Sequence, residues 1–157
     1  MADRPIPARS EVPEESTWNL KDVFESDEAW QAEYEAFKAV PEQIEAFRGR
    51  LGESAETLLE WFRLNDALSV RLEKLYGYAS CKGDEDTGNS VYQGMRAKAL
   101  ATLVAIDAAS AFETPEIMAL DEDTVNLFYA AQPELETYRR NIYKIRRRKA
   151  HILSPEE

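Results

Sequence analysis

SAETLLEWFRLNDALSVRLEKLYGYA, residues 54–79, is the stretch that decides the fold. Leu58, Phe62, Leu68, Leu72, Leu75 and Ala79 recur along it at helical spacing, and Leu59, Trp61 and Tyr76 widen the stripe. Ser54 stands just ahead of the first apolar residue, where its hydroxyl can accept from the orphan N–H groups of a helix start. The stretch therefore predicts one long amphipathic helix with a face to bury.

Downstream, Gly83-Asp84-Glu85-Asp86 reads as a densely negative turn, and Thr87 or Asn89 as the cap of a second long helix running to about Phe112. Met95, Leu100, Leu103, Val104, Ile106 and Ala109 leave that helix apolar on most sides, which predicts the central helix of a bundle. Thr114-Pro115-Glu116 restarts a short helix with Thr as cap, and Asp121 caps another carrying Val125, Leu127 and Phe128. After Pro133, the residues Leu135, Tyr138, Ile142 and Ile145 form the clearest stripe of the second half.

Upstream, Ser26 caps a helix in which Trp30, Tyr34, Phe37 and Val40 repeat at helical spacing, and Pro41 opens a short helix with Ile44 and Phe47. Gly49 and Gly52 break the pattern. Residues 1–16, with Pro5, Pro7 and Pro13, read as an extended or partly disordered arm, with Trp18 and Leu20 as the apolar anchors behind it. The expected architecture is all-α: a bundle of about five to six helices over 17–153. Residues 154–157, Ser-Pro-Glu-Glu, read as the cap and first turn of a further helix, so the chain is expected to be cut there.

Composition narrows the function classes. The chain has 157 residues, enough for one domain with a real core, and its 31% charged and 44% hydrophobic residues are a globular balance. Its net charge of −11 is uneven: residues 1–138 carry 28 acidic and 12 basic groups, while 139–157 carry 7 basic and 2 acidic. A phosphate backbone is repelled by most of such a surface, so nucleic acid is not an expected partner, and the run Arg139 to Lys149 reads as a helix C-terminus or a contact with acidic neighbours. No apolar run approaches the roughly 18 residues of a transmembrane helix, and Met-Ala-Asp-Arg-Pro opens no secretory signal, which predicts a cytoplasmic protein without membrane contact.

Candidate chemistry is thin. His151 is the single histidine, too few for a catalytic zinc site or a Ser-His-Asp triad, and a structural role is the expectation for it. Asp84, Glu85 and Asp86 lack the spacing of a calcium loop. Cys81 is the single cysteine, with only Lys82 beside it to lower its pKa. Gly83 and Gly88 fit neither the dinucleotide nor the P-loop pattern. No catalytic, cofactor-binding or metal-ligating residue is assigned in this chain.

Six short stretches carry a resemblance: Thr17-Trp18-Asn19-Leu20, Ser26-Asp27-Glu28-Ala29-Trp30, Leu75-Tyr76-Gly77-Tyr78-Ala79, Asp84-Glu85-Asp86-Thr87, Pro115-Glu116-Ile117, and Arg148 through Ser154. In this order and spacing they resemble the amino-terminal part of oligoendopeptidase F, within the thimet-oligopeptidase-like family of zinc metallopeptidases. Asn19 departs from the Asp expected at that place. The resemblance implies a later helix with His-Glu-x-x-His, a third ligand from a following Glu, and hydrolysis by a zinc-bound water with the motif's Glu as base. None of those residues lies in this sequence. The implied role is one wall of a channel that admits short peptides, in a lobe inactive by itself. A carboxy-terminal catalytic domain would be its partner, and zinc a cofactor of the whole enzyme rather than of this segment. The alternative from another class is a stand-alone acidic helical module that binds proteins.

Overall fold

The structure, a computed structural model, describes Pro7 and residues 9–151. It is all-α, with no strand among the described residues. Five helices have eight or more residues: α1 (Asp27–Phe37), α3 (Ala55–Glu85), α4 (Ser90–Ala109), α6 (Glu122–Ala131) and α7 (Arg139–Arg146). Short α2 (Val40–Glu45) and α5 (Glu113–Ala119), each under two turns long, bring the α-helices among the described residues to seven. The described residues divide into two compact units. The first holds those up to Lys38 with Val70–Val104, and the second holds Ala39–Ser69 with those from Ala105 onward.

In the first unit, Ser26 caps α1 by accepting from the Ala29 N–H at 3.2 Å. Trp30 is fully buried and donates its indole N–H to the Leu75 carbonyl of α3 at 2.8 Å, which fixes α1 on α3. Leu72, Leu75 and Ala79 of the predicted stripe are buried beneath it. The helix α3 runs on through Glu85, so Gly83 to Glu85 are helical, and the chain turns only at 86–89. Ion pairing supports the extension: Arg96 of α4 lies 3.1 Å from Asp84, and Arg9 lies 3.2 Å from Glu85. Of the two expected caps for α4, Asn89 serves, accepting from Val91 N–H at 3.0 Å.

Three further sequence expectations fail in this unit. The arm is not extended over its described part, since Arg9–Glu11 and Glu14–Ser16 are 3₁₀ turns. Trp18 is no anchor: it is 56% exposed. Nor is α4 covered all round, because Val91, Leu100 and Val104 are exposed while Met95 and Ala99 are buried.

In the second unit the core gathers around Trp61 of α3, which is fully buried and lies 5.7 Å from the Phe47 ring and 5.0 Å from Phe112. Ser54 caps α3 as expected, accepting from Thr57 N–H at 3.0 Å. The turn that precedes it places Gly49 at φ +79°, a conformation that costs any L side chain. Glu116 of α5 holds that turn, accepting from Gly49 N–H at 2.6 Å and Leu51 N–H at 3.1 Å. Its neighbour Ile117 is fully buried. The helix α5 begins at Glu113, straight from a 3₁₀ turn at Ser110–Phe112, so Thr114 lies inside its first turn instead of capping it. Asp121 caps α6 through Thr124 N–H at 2.7 Å. The last predicted stripe is split between a 3₁₀ segment, Pro133–Tyr138, and α7, with Leu135 and Ile142 buried. The expected helix start at 154–157 lies outside the described residues.

Candidate functional site

Ionisable side chains meet at concave places in each unit. In the first, a cavity of about 450 Å³ is lined by Trp18, Asp27, Tyr78, Lys82 and Glu85, among others. The first turn of α1 presents Asp27, and successive turns of α3 present Tyr78, Lys82 and Glu85. Asp27 accepts from the Tyr78 hydroxyl at 2.6 Å and lies 3.1 Å from the Lys82 ammonium. Lys82 also sits over the Tyr78 and Tyr92 rings, 5.5 and 4.9 Å from their centroids.

Burial, and then the bond to Asp27, push the Tyr78 phenol up to about 12. Burial alone would lower Lys82, but Asp27 and the two tyrosines outweigh it and leave the ammonium raised. Both groups are thus fixed in their protonated forms at neutral pH, and neither can take up a proton. Glu85 faces Arg9 with one oxygen, while its Oε1 is buried without a partner. These charges neutralise one another, and the cluster is an internal brace of the first unit.

The residues weighed from the sequence do not assemble. Cys81 is half-buried in α3, and burial, then Asp84 and Glu85, raise its thiol, so it is no thiolate nucleophile. Lys82, the one group that could have lowered it, is engaged by Asp27. Asp84 and Glu85 pair with arginines. His151 ends a 3₁₀ turn, Arg147–His151, and its side chain lies outside the described residues. Among the described residues, no group of three or more His, Cys, Asp or Glu side chains is placed to hold a metal ion. No helix among them is long and apolar enough to cross a membrane.

In the second unit, a cleft of about 580 Å³ lies along α6 and α7. Its floor is Val125, Tyr129 and Ile142, all buried. Two arginines on its wall are already held. Arg139 grips Glu136 with two bonds of 2.5 Å and lies 4.1 Å over the Tyr129 ring, and Arg146 meets Glu122 at 2.7 Å. Arg140 and Tyr143, also at the cleft, are exposed, and Arg140 pairs with none of the described carboxylates. The basic run therefore separates into engaged and free cations, a distinction spacing alone did not supply. Arg146 in particular is already paired, its side chain only 21% exposed.

The family model for oligopeptidase F matches residues 116–157. Oligopeptidase PepF of Bacillus subtilis is 40% identical over 152 residues, which is 97% of this chain and 23% of that protein. Group B oligopeptidase PepB of Streptococcus agalactiae is 36% identical over 95% of this chain and 25% of its own length. The crystal structure of oligoendopeptidase-F from Enterococcus faecium superposes with a TM-score of 0.72 at 31% identity, over 83% of this chain and 25% of that one. A structure from Chlamydophila abortus, at 21% identity, shares the fold with a TM-score of 0.83 over 97% of this chain and 26% of that one. The chain spans about a quarter of the length of the relatives it matches. In sequence and in fold, the chain is similar to the amino-terminal part of oligoendopeptidase F.

Proposed function

We propose that this chain is the amino-terminal helical lobe of a zinc-dependent oligoendopeptidase that hydrolyses short peptides, and that it forms one wall of the channel leading to the metal. One observation carries the reading: 40% identity across nearly the whole chain to under a quarter of a longer oligopeptidase. A catalytic zinc takes about three protein ligands, and the described residues offer no such group. The described donors do not fit the ion, so the reading assigns zinc, water activation and the carboxy-terminal catalytic domain to the remaining polypeptide. What this chain contributes is shape: a packed helical scaffold that limits which peptides pass. A cytoplasmic location belongs to the same reading.

The test is hydrolysis of a quenched fluorescent peptide by a polypeptide that continues this sequence to full relative length, with and without a chelator. Activity abolished by chelator and restored by zinc, together with none from residues 1–157 alone, supports the lobe. Chelator-sensitive cleavage by 1–157 alone would refute it. The rival reading, a stand-alone interaction module, draws on the exposed Val91, Leu100 and Val104 of α4. It gains if the longer polypeptide is inert.

A further inference from the structure

We propose that the face of α7 beside the α6–α7 cleft is a docking site for an acidic peptide segment, bound by Arg140, Lys144 and Arg147 around Tyr143. The inference deepens the peptidase reading, and rests on it only in choosing a peptide as the occupant. Residues 140, 143, 144 and 147 follow the i, i+3, i+4, i+7 spacing of one helix face, and Arg147, at φ −60° and ψ −21°, continues the helical course past Arg146. All four are exposed, Tyr143 at 63%. The opposite side of the same helix is in the core, with Ile142 buried and Arg146 bound to Glu122.

Charge decides what this face takes. The two glutamates lining the cleft, Glu122 and Glu136, are each engaged by an arginine and cannot welcome a cation. Arg140, Lys144 and Arg147 pair with none of the described carboxylates, although the chain has 30 acidic residues and a net charge of −11. Three unopposed cations in two helical turns favour an anion. Length separates the possible anions. From residue 140 to 147 a helix rises about 10.5 Å, which matches about three residues of extended peptide at about 3.3 Å each. A nucleic acid neutralises many phosphates along a longer track, and residues 1–138, with 28 acidic against 12 basic groups, would repel it. Tyr143 at the centre gives peptide planes and side-chain stems an apolar surface, and the buried floor of Val125 and Tyr129 next to it can take an adjoining apolar residue.

The experiment titrates the chain with a capped, fluorescein-labelled pentaglutamate peptide at low and at physiological salt, followed by anisotropy. Saturable binding at one site is expected, weakened about tenfold by Arg140→Glu with Lys144→Glu, the effect of losing two exposed ion pairs. The control, Lys21→Glu with Lys74→Glu, makes the same change in net charge on other exposed lysines and should leave binding unchanged. Because these sites are exposed, far-UV circular dichroism should match wild type in both, and Tyr143→Ala supplies a variant without charge change that also weakens binding. No saturable binding, equal weakening by the control, or tighter binding of a pentalysine peptide or of an oligonucleotide with as many charges would each overturn the site. None of these results touches the peptidase reading, which is decided by chelator-sensitive hydrolysis in the longer polypeptide.

Discussion

Replacing Glu116 should unfasten the turn at Gly49 and lower stability by about 2.5–3 kcal/mol, a value that follows from two bonds. Glu116 accepts from Gly49 N–H at 2.6 Å, in an exposed setting, and from Leu51 N–H at 3.1 Å, in a partly buried one. Hydrogen bonds to a charged group contribute about 1.5–3 kcal/mol when sheltered and less when water can replace the partner. We assign about 1 kcal/mol to the first bond and about 1.5–2 to the second. Glu116→Gln keeps one acceptor oxygen and loses the charge, so it should cost about half as much as Glu116→Ala. For a domain of this size, the alanine variant should melt about 5–10 °C lower. Urea unfolding read by circular dichroism and tryptophan fluorescence checks this, since Trp61 reports on the same unit. Gly49→Ala adds a second probe. Nothing crowds a Cβ there, so its cost of about 1–2 kcal/mol comes from the positive φ alone. That cost should shrink once Glu116 is gone and the turn can relax. A Glu116→Ala variant within about 0.5 kcal/mol of wild type, or one no worse than Glu116→Gln, would show that the carboxylate does not hold the turn.

Three further outcomes follow from burial and charge. Trp30→Ala should cost about 3–5 kcal/mol, because it empties a fully buried site, and Trp30→Phe distinctly less, its principal loss being the bond to Leu75; equal losses in denaturant melts would contradict this. The Tyr78 phenol is raised from 10 to about 12, so the protonated side chain's contribution is full below pH 10 and lost as pH rises toward 12. Tyr78→Phe should flatten that alkaline fall in melting temperature and reduce the late-ionising tyrosine signal in an ultraviolet titration, to which Tyr129 and Tyr138, also raised, contribute the rest. Burial raises the Glu113 carboxyl above the usual carboxylate range. The Trp61 indole N–H lowers it by less, and meets no acceptor at full hydrogen-bond geometry. A raised carboxyl favours the fold below its unfolded pKa and loses that advantage as pH rises through the folded one. Glu113→Gln should therefore raise the melting temperature at pH 7 and have little effect near pH 3.5, and scans at both values decide it.

What the sequence made legible was local. Ser26, Ser54 and Asp121 cap α1, α3 and α6 because a short oxygen three residues ahead of an orphan N–H needs nothing from the rest of the chain. The stripe from Leu58 to Ala79 is buried along its length for the same reason: its period is intrinsic. Errors arose where a distant partner changed the outcome. Gly83 to Asp86 looks like a turn because it is one glycine followed by three acids, yet Arg96 and Arg9 hold Asp84 and Glu85 in a helix. The α6–α7 cleft was illegible on the same grounds. Arg139 and Arg146 look like Arg140 and Lys144 in sequence, and only the fold brings Glu122, 24 residues earlier, to Arg146. The motif Pro115-Glu116-Ile117 could be recognised but not explained until Glu116 met a turn 65 residues away.

The misreading of α4 has a different origin. Its 20 residues include only Arg96, Lys98 and Asp107 as charged groups. Arg96 is drawn to Asp84, and Lys98 to Gln31 and the Tyr34 ring. Ala97, Leu100, Ala101 and Val104 are exposed together. A helix face that meets water normally carries charge, since apolar surface there gains nothing from being ordered. Sequence chemistry on α4 therefore specifies a covering that the described residues do not supply. On the proposed reading the covering comes from the rest of a polypeptide about four times as long, as the relatives' lengths suggest. On that reading, the apolar composition describes an environment α4 has only in the longer polypeptide, while within the described residues Val91, Leu100 and Val104 remain exposed. Reading a helix as central from its composition tells how much of it is to be buried, but not whether the burying surface lies within the same segment.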